Sequence, residues 1–325
     1  VGDFYSASFC RLKPSTPAKY PPVSDALMQK LGEREEQGEG GPPASAPSLA
    51  VQFFLIPLAV VAVIVAVYGG FRMMLADERS PEEYLNEIRA GGRDRRWPAA
   101  YELSRLMDDP EIEVRFPDLA RSLLRTFVES EQDDPRIRRY LALAIGRLES
   151  PPAGTVDRLI EALDDPDTET LISVVWALAS LGDRAVVPSI VSMYQSADSG
   201  VRKMAVYALG VLPDDGAHTT LRAALTDPVP DVQWNAAVAL ARHGDDRGVR
   251  VLRRMLDREH VSGLVTPSEL LADPVSDVMV SGLRALAALA DSTGGEGLHQ
   301  SVVALAESDE SLKVRQAALE VLEVL

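Results

Sequence analysis

The stretch Ser196–Gly210, SADSGVRKMAVYALG, decides the fold. Apolar or small residues return at Val201, Ala205, Ala208, Leu209 and Leu212, which are positions 1, 5, 8, 9 and 12 of one helical face. The same frame recurs in VQWNAAVALARH (Val232–His243) and VMVSGLRALAAL (Val278–Leu289). It recurs again in IRRYLALAIGRL (Ile137–Leu148), TLISVVWALASL (Thr170–Leu181) and VRQAALEVLEVL (Val314–Leu325). A degenerate first copy, RRWPAAYELSRL, runs from Arg95 to Leu106, and His243 is an exception at position 12.

Between these copies lies a partner helix, as in Val156–Asp165, Val186–Ser196, His218–Asp227, Arg247–Asp257 and Gly297–Ser308. Asp-Pro pairs at 165–166, 227–228 and 273–274 separate the two helices of a pair, and Gly182 and Gly244 follow the second helix, where positive φ can end it. The starts at Ile137, Thr170, Val201 and Val232 are 33, 31 and 31 residues apart, whereas Val278 comes 46 later, an insertion near 260–277. A helix pair of that length cannot bury its own apolar face, and stacked copies supply the shared core. The spacing predicts an all-α chain whose repeat array spans 95–325.

The motif D-x-x-V-R-x-x-A-x-x-A-L-G in these copies resembles HEAT repeats, specifically the short bacterial type seen in phycobilisome-lyase-like proteins. Gln233 and Met279 replace the motif Arg in two later copies. The resemblance implies a right-handed α-solenoid. It also implies a range of roles: adaptors, subunits of larger complexes and a few pigment-lyase subunits.

Upstream, Leu49–Tyr68 (LAVQFFLIPLAVVAVIVAVY) holds no charged residue, and the uncharged run continues to Phe71. About 20 apolar residues cover a hydrocarbon layer of roughly 30 Å, so a single transmembrane helix is expected over 49–71. Residues 72–94 then read as a juxtamembrane helix and linker. The tail, 1–48, is rich in Pro and Gly and is expected to be extended or disordered, with a possible short helix at 24–36 carrying Leu27, Met28 and Leu31 on one face. Arg72 and Arg79 follow the span closely, with Arg89 to Arg96 beyond, while only Lys30 and Arg34 stand near it on the other side. That bias places the protein in the inner (cytoplasmic) membrane with the repeats in the cytoplasm and the tail outside. Val1 rather than Met opens the sequence, which leaves open whether residues precede it.

Residues 1–76 carry as many acids as bases, so the whole formal charge of -16 falls on 77–325. An acidic domain repels phosphate backbones, which argues against a nucleic-acid partner. Cys10 is the sole cysteine, which excludes a disulfide framework and a thiolate metal cluster. His218, His243, His260 and His299 are far apart in sequence and lack metal-ligand spacing, and no phosphate loop, dinucleotide fingerprint or nucleophile elbow is present. No catalytic, metal or cofactor site is expected, and the protein reads as a non-enzyme.

Binding is the remaining chemistry. Positions 3 and 7 of the second helices fall outside the buried frame, and in HEAT-like stacks these helices line the concave surface. That groups Trp176, Tyr207 and Trp234 with Arg139 and Lys203, the aromatic-plus-basic composition of interface hot spots, unless the aromatics pack between repeats instead. In the insertion, Val261, Leu264, Val265, Leu270 and Leu271 are candidates for partner contact or belong to a tolerated surface loop. Arg89, Arg93, Arg95 and Arg96 either touch anionic headgroups or pair with acidic turns of the first repeat. The reading is a membrane-anchored protein-interaction scaffold. Alternatives are a stoichiometric accessory subunit of a transporter or respiratory complex, and a lyase-like, enzyme-associated protein. Partners would be proteins, as subunits of a membrane complex, together with lipid around 49–71.

Overall fold

A computed structural model of the chain describes residues 56–75, 79–212, 214–265, 273–289 and 298–324. The tail 1–48, with its expected helix at 24–36, lies outside the described residues. The chain divides into two compact units, 1–78 and 79–325.

In the first unit, helix α1 spans Ile56–Leu75. Its side chains are described over 57–70, and every large apolar one from Leu58 to Tyr68 is more than half exposed. Among the described residues, no helix is long and apolar enough to cross a membrane. The first part of the expected span, 49–55, lies outside the described residues. The single-pass span expected at 49–71 is therefore not shown within the described residues.

The second unit is helical throughout its described residues. Its helices are α2 (Pro81–Ala90), α3 (Arg93–Leu106), α4 (Glu111–Arg115), α5 (Leu119–Glu129), α6 (Pro135–Ile145), α7 (Thr155–Glu161), α8 (Thr168–Leu181) and α9 (Val187–Met193). They continue as α10 (Ser199–Val211), α11 (His218–Ala224), α12 (Pro230–Arg242), α13 (Val249–Met255), α14 (Arg258–Ser262), α15 (Pro274–Ala287), α16 (His299–Ser308) and α17 (Leu312–Leu322). Seven pairs stack, with second helices α3, α6, α8, α10, α12, α15 and α17 each beside the next.

The repeat unit opens earlier than the boundary at 95. Helix α2, which the sequence reading set with the linker, buries Leu85 and Ile88 against α3 and so acts as the first helix of the first pair. Ser80 caps it by accepting from the Glu83 N–H, and Pro81 takes the first helical position, where its missing donor costs nothing.

Acidic turns punctuate the stack at the repeat period. Asp183, Asp214 and Asp245 accept from the N–H groups of Ala185, Gly216 and Arg247, opening α9, α11 and α13. Asp134, Asp167, Asp198 and Asp273 cap α6, α8, α10 and α15 in the same way. Gly182 ends α8 at φ 72°, and Gly244 follows α12 at φ 73°, both in the left-handed region that only glycine enters cheaply.

Small residues let the second helices approach one another. Position 8 in α6, α8, α10, α12 and α15 is Ala144, Ala177, Ala208, Ala239 and Ala285, all buried. A Cβ on Gly210 would stand 2.5 Å from the Ala239 Cβ, and one on Gly146 would stand 2.7 Å from the Ala177 Cα. The Ala-Leu-Gly run of the motif is therefore a stacking device. Leu209 and its equivalents fill the interior beside it, each burial contributing about 1.5–3 kcal/mol. Helix α12 serves two cores at once, giving Ala236 and Leu240 to one and Trp234 and Ala237 to the other.

Candidate functional site

The second helices carry charged rungs between repeats. Arg202 of α10 directs Nε and Nη2 at Asp227, at 2.9 and 3.2 Å, while Nη1 donates to the carbonyls of Ser196 and Ala197. Arg138 of α6 brings Nε to 3.1 Å from Asp165, both nearly fully buried, and its guanidinium lies 5.0 Å over the Phe127 ring. Burial works against the charged form of Asp227, but the Arg202 guanidinium, the Val229 N–H and the Tyr194 hydroxyl outweigh it. Its carboxyl is held below the usual range. Tyr194 is in turn pushed up by burial and by the Asp227 charge.

The basic residues expected on the strip form a second, more exposed set of rungs. Arg139 Nη2 lies 3.4 Å from Asp167, and Lys203 Nζ 2.8 Å from Asp231. Both tie one second helix to the start of the next. Trp176 and Tyr207 are half-buried. The Arg147 guanidinium sits 5.4 Å over the Trp176 ring while its Nε reaches Asp108 at 2.6 Å. Tyr101 of α3, at the same place, is exposed and meets Tyr140 edge-on at 5.2 Å.

Trp234 departs from this pattern. It is 7 % exposed and sits in the apolar cluster with Val251, Leu252 and Val280, so it belongs to the core rather than to an open strip. Ile172, Val280 and Leu143, also read as unburied, are buried as well. The frame assumed that positions 3 and 7 escape contact, but close stacking through Ala and Gly brings neighbouring helices over them.

The insertion begins as structure, not as loop. Asp257 caps α14 by accepting from the His260 N–H, and Val261 is fully buried, where the sequence suggested exposure. Arg258 reaches Asp309 at 2.6 and 3.1 Å, Glu310 at 3.1 Å and the Ser276 hydroxyl at 3.1 Å. Leu264 is exposed and Val265 half-buried, while Leu270 and Leu271 lie outside the described residues.

In the basic block, Arg89 donates to the Thr126 hydroxyl at 3.0 Å and to the Ser122 carbonyl. Arg96 donates to the Ile88 carbonyl at 2.6 Å and forks onto Asp133 at 2.7 and 2.5 Å. These two guanidinium groups are engaged inside the unit. Arg93 and Arg95 are exposed, the latter 3.7 Å from Glu87.

One proximity had no signal in the sequence: His218 and His243 meet across the α11–α12 pair. Among the described residues no group of three or more His, Cys, Asp or Glu is placed to hold a metal ion.

A family model described as HEAT repeats matches residues 123–210 and 187–272. A comparison with curated proteins returns no match. Among solved structures, an engineered protein shares 22 % identity over 66 % of this chain and 97 % of its own, with a TM-score of 0.44. The complex of CpcE and CpcF of phycocyanin lyase from Nostoc sp. PCC7120 shares 17 % identity over 75 % of this chain and 94 % of that one, with a TM-score of 0.49. A designed armadillo repeat protein in complex with the peptide (KR)4 shares 16 % identity over 76 % and 99 %, with a TM-score of 0.39. The stretch 123–272 thus matches HEAT repeats, and the described residues between Pro81 and Leu322 form stacked helices.

Proposed function

We propose that this protein is a non-catalytic interaction scaffold that holds a protein partner against the second-helix face of its repeats. One observation carries the reading. Tyr101, Trp176 and Tyr207 keep part of their rings open at the same helical position, while Leu103, Leu178 and Leu209, two residues further along each helix, are fully buried. Aromatic rings of this kind, flanked by Arg147 and Lys203, supply large contact area with little entropy to lose on binding. The rungs beneath them hold the rings in register before any partner arrives.

The membrane placement belongs to the same proposal. The uncharged run from Leu49 to Phe71 and the exposed apolar surface of α1 support an anchor that confines the repeats beside a bilayer, on its cytoplasmic side. The partner is then a subunit of a membrane complex.

The test is substitution of Trp176 and Tyr207 by Ala in the full chain, followed by affinity capture from its own membranes and thermal unfolding. Loss of a specific partner with melting lowered by only a few degrees supports the scaffold. Unchanged capture refutes it. Alkaline carbonate extraction examines the anchor separately: the chain stays with the membrane pellet, and deletion of 49–71 releases it.

A further inference from the structure

His218 Nε2 lies 3.2 Å from His243 Nδ1, with ring centroids 5.3 Å apart and the planes tilted by 59°. His218 is the first residue of α11 and His243 directly follows α12, so the contact closes one helix pair at the end opposite its inter-helix turn. Both residues are half-buried, so neither is sealed in the core. The local backbone does not depend on them, because Asp214 caps the turn into α11 and Gly244 supplies the left-handed residue after α12.

Two facing imidazole nitrogens at this separation suit more than a hydrogen bond. Metal–nitrogen bonds of about 2.0–2.1 Å set at a tetrahedral angle put the two nitrogens about 3.3 Å apart. Imidazole is a ligand that suits Zn²⁺, Ni²⁺ and Cu²⁺. We propose that His218 and His243 form a two-nitrogen chelate for a borderline divalent transition ion, with water filling the remaining positions. In the free protein one facing nitrogen carries the proton and donates a hydrogen bond to the other. On binding, that proton moves to the other nitrogen of the same ring, and both facing nitrogens present lone pairs to the ion. No net charge is lost from either ring. The bound ion then staples α11 to α12, and mass action makes the staple stabilising in proportion to occupancy.

The experiment titrates the untagged full chain with ZnCl₂ and with NiCl₂, reading thermal unfolding and heat of binding. The expected result is a saturable rise in melting temperature with one ion bound per chain at this site. Either His218→Asn or His243→Asn weakens binding roughly tenfold or more, and His299→Asn leaves it unchanged. Far-UV circular dichroism of the metal-free variants checks that they fold. Should one fail to fold, carbethoxylation of the wild-type chain followed by peptide mass spectrometry reads the same site, with Ni²⁺ protecting His218 and His243 together and sparing neither His260 nor His299. Absence of a shift, binding that survives both substitutions, or loss in only one of them overturns the chelate.

Discussion

Arg202 in one repeat grips Asp227 in the next through two nitrogens, and Asp227 is almost wholly buried. The rung has a sequence logic. Arg138 and Asp165 repeat it two pairs earlier, at the same two places. Leu171 occupies the Arg place in α8, and the matching place before α10 holds Ser196 rather than an acid. Removing one partner strands a buried charge, so Arg202→Met is expected to cost about 3 kcal/mol. Adding Asp227→Asn to it should cost less than the two single changes summed, with a coupling of about 1–3 kcal/mol in a double-mutant cycle by urea unfolding. Additive losses would show that the two side chains are energetically independent.

Acid should dismantle the same framework. Asp227, Asp167, Asp245 and Asp273 are each held below the usual carboxylate range although burial opposes their charge. The opposing groups are Arg202, Thr170, Arg222 and Ser276 respectively. A carboxylate with a depressed folded pKa gives stability that is complete above its unfolded value, about 3.9. That stability is lost as pH falls through the lower folded value. The urea midpoint should therefore stay level from pH 7 to about 5 and drop below about pH 4. The Arg202→Met variant should show a shallower drop, because Asp227 then loses its main cause of depression. A midpoint that falls between pH 7 and 5 would point to other groups.

How far the sequence revealed the fold can be judged from particular residues. Val201, Ala205, Ala208 and Leu209 announce a helix face by spacing alone, and all four are buried. Gly182 and Gly244 announce helix ends because few other residues enter positive φ. Ser80-Pro81-Glu82-Glu83 was an equally legible helix start, yet α2 was set with the linker because its repeat partner, α3, is a degenerate copy. Trp234 was misplaced because helical spacing says which residues share a face but not how closely the next helix approaches that face. Ala and Gly at the stacking positions decide that distance. The His218–His243 contact was invisible, since 25 residues separate the two and only the closure of a helix pair joins them.

Gly210 offers a direct measure of that stacking. Replacing a helical Gly by Ala ordinarily gains about 1 kcal/mol. Here the new Cβ would meet the Cβ and Cα of Ala239 at 2.5 and 3.0 Å, and neither atom can rotate away. Overpacking of this sort costs about 1–3 kcal/mol, so Gly210→Ala should be net destabilising. Gly263→Ala is the control. Its Cβ would stand at an ordinary 3.6 Å from the Glu259 and His260 carbonyls, and the change should stay within about 0.5 kcal/mol. Thermal unfolding of the two variants side by side checks the difference, and a stabilised Gly210→Ala would mean that α10 and α12 have room to separate.

Arg258 carries the last pairs in a different manner from the rest. Asp309 stands before α17 where Asp227 stands before α12, but the residue of α15 at the matching Arg place is Met279. The missing guanidinium comes instead from α14 in the insertion, whose Arg258 spans Ser276, Asp309 and Glu310. The hydrogen bond to Asp309 and its charge raise the Arg258 pKa, against the opposing effect of burial. Because repeat arrays are stabilised by nearest neighbours, loss of this clasp should loosen the C-terminal end without spreading far. In Arg258→Met, amide hydrogen exchange should quicken across 298–324 and in α15, while 137–212 exchanges as in the wild type. Uniform acceleration along the whole stack would instead make the insertion a determinant of global stability, and no change at all would mean that Met279 and its neighbours hold α17 unaided.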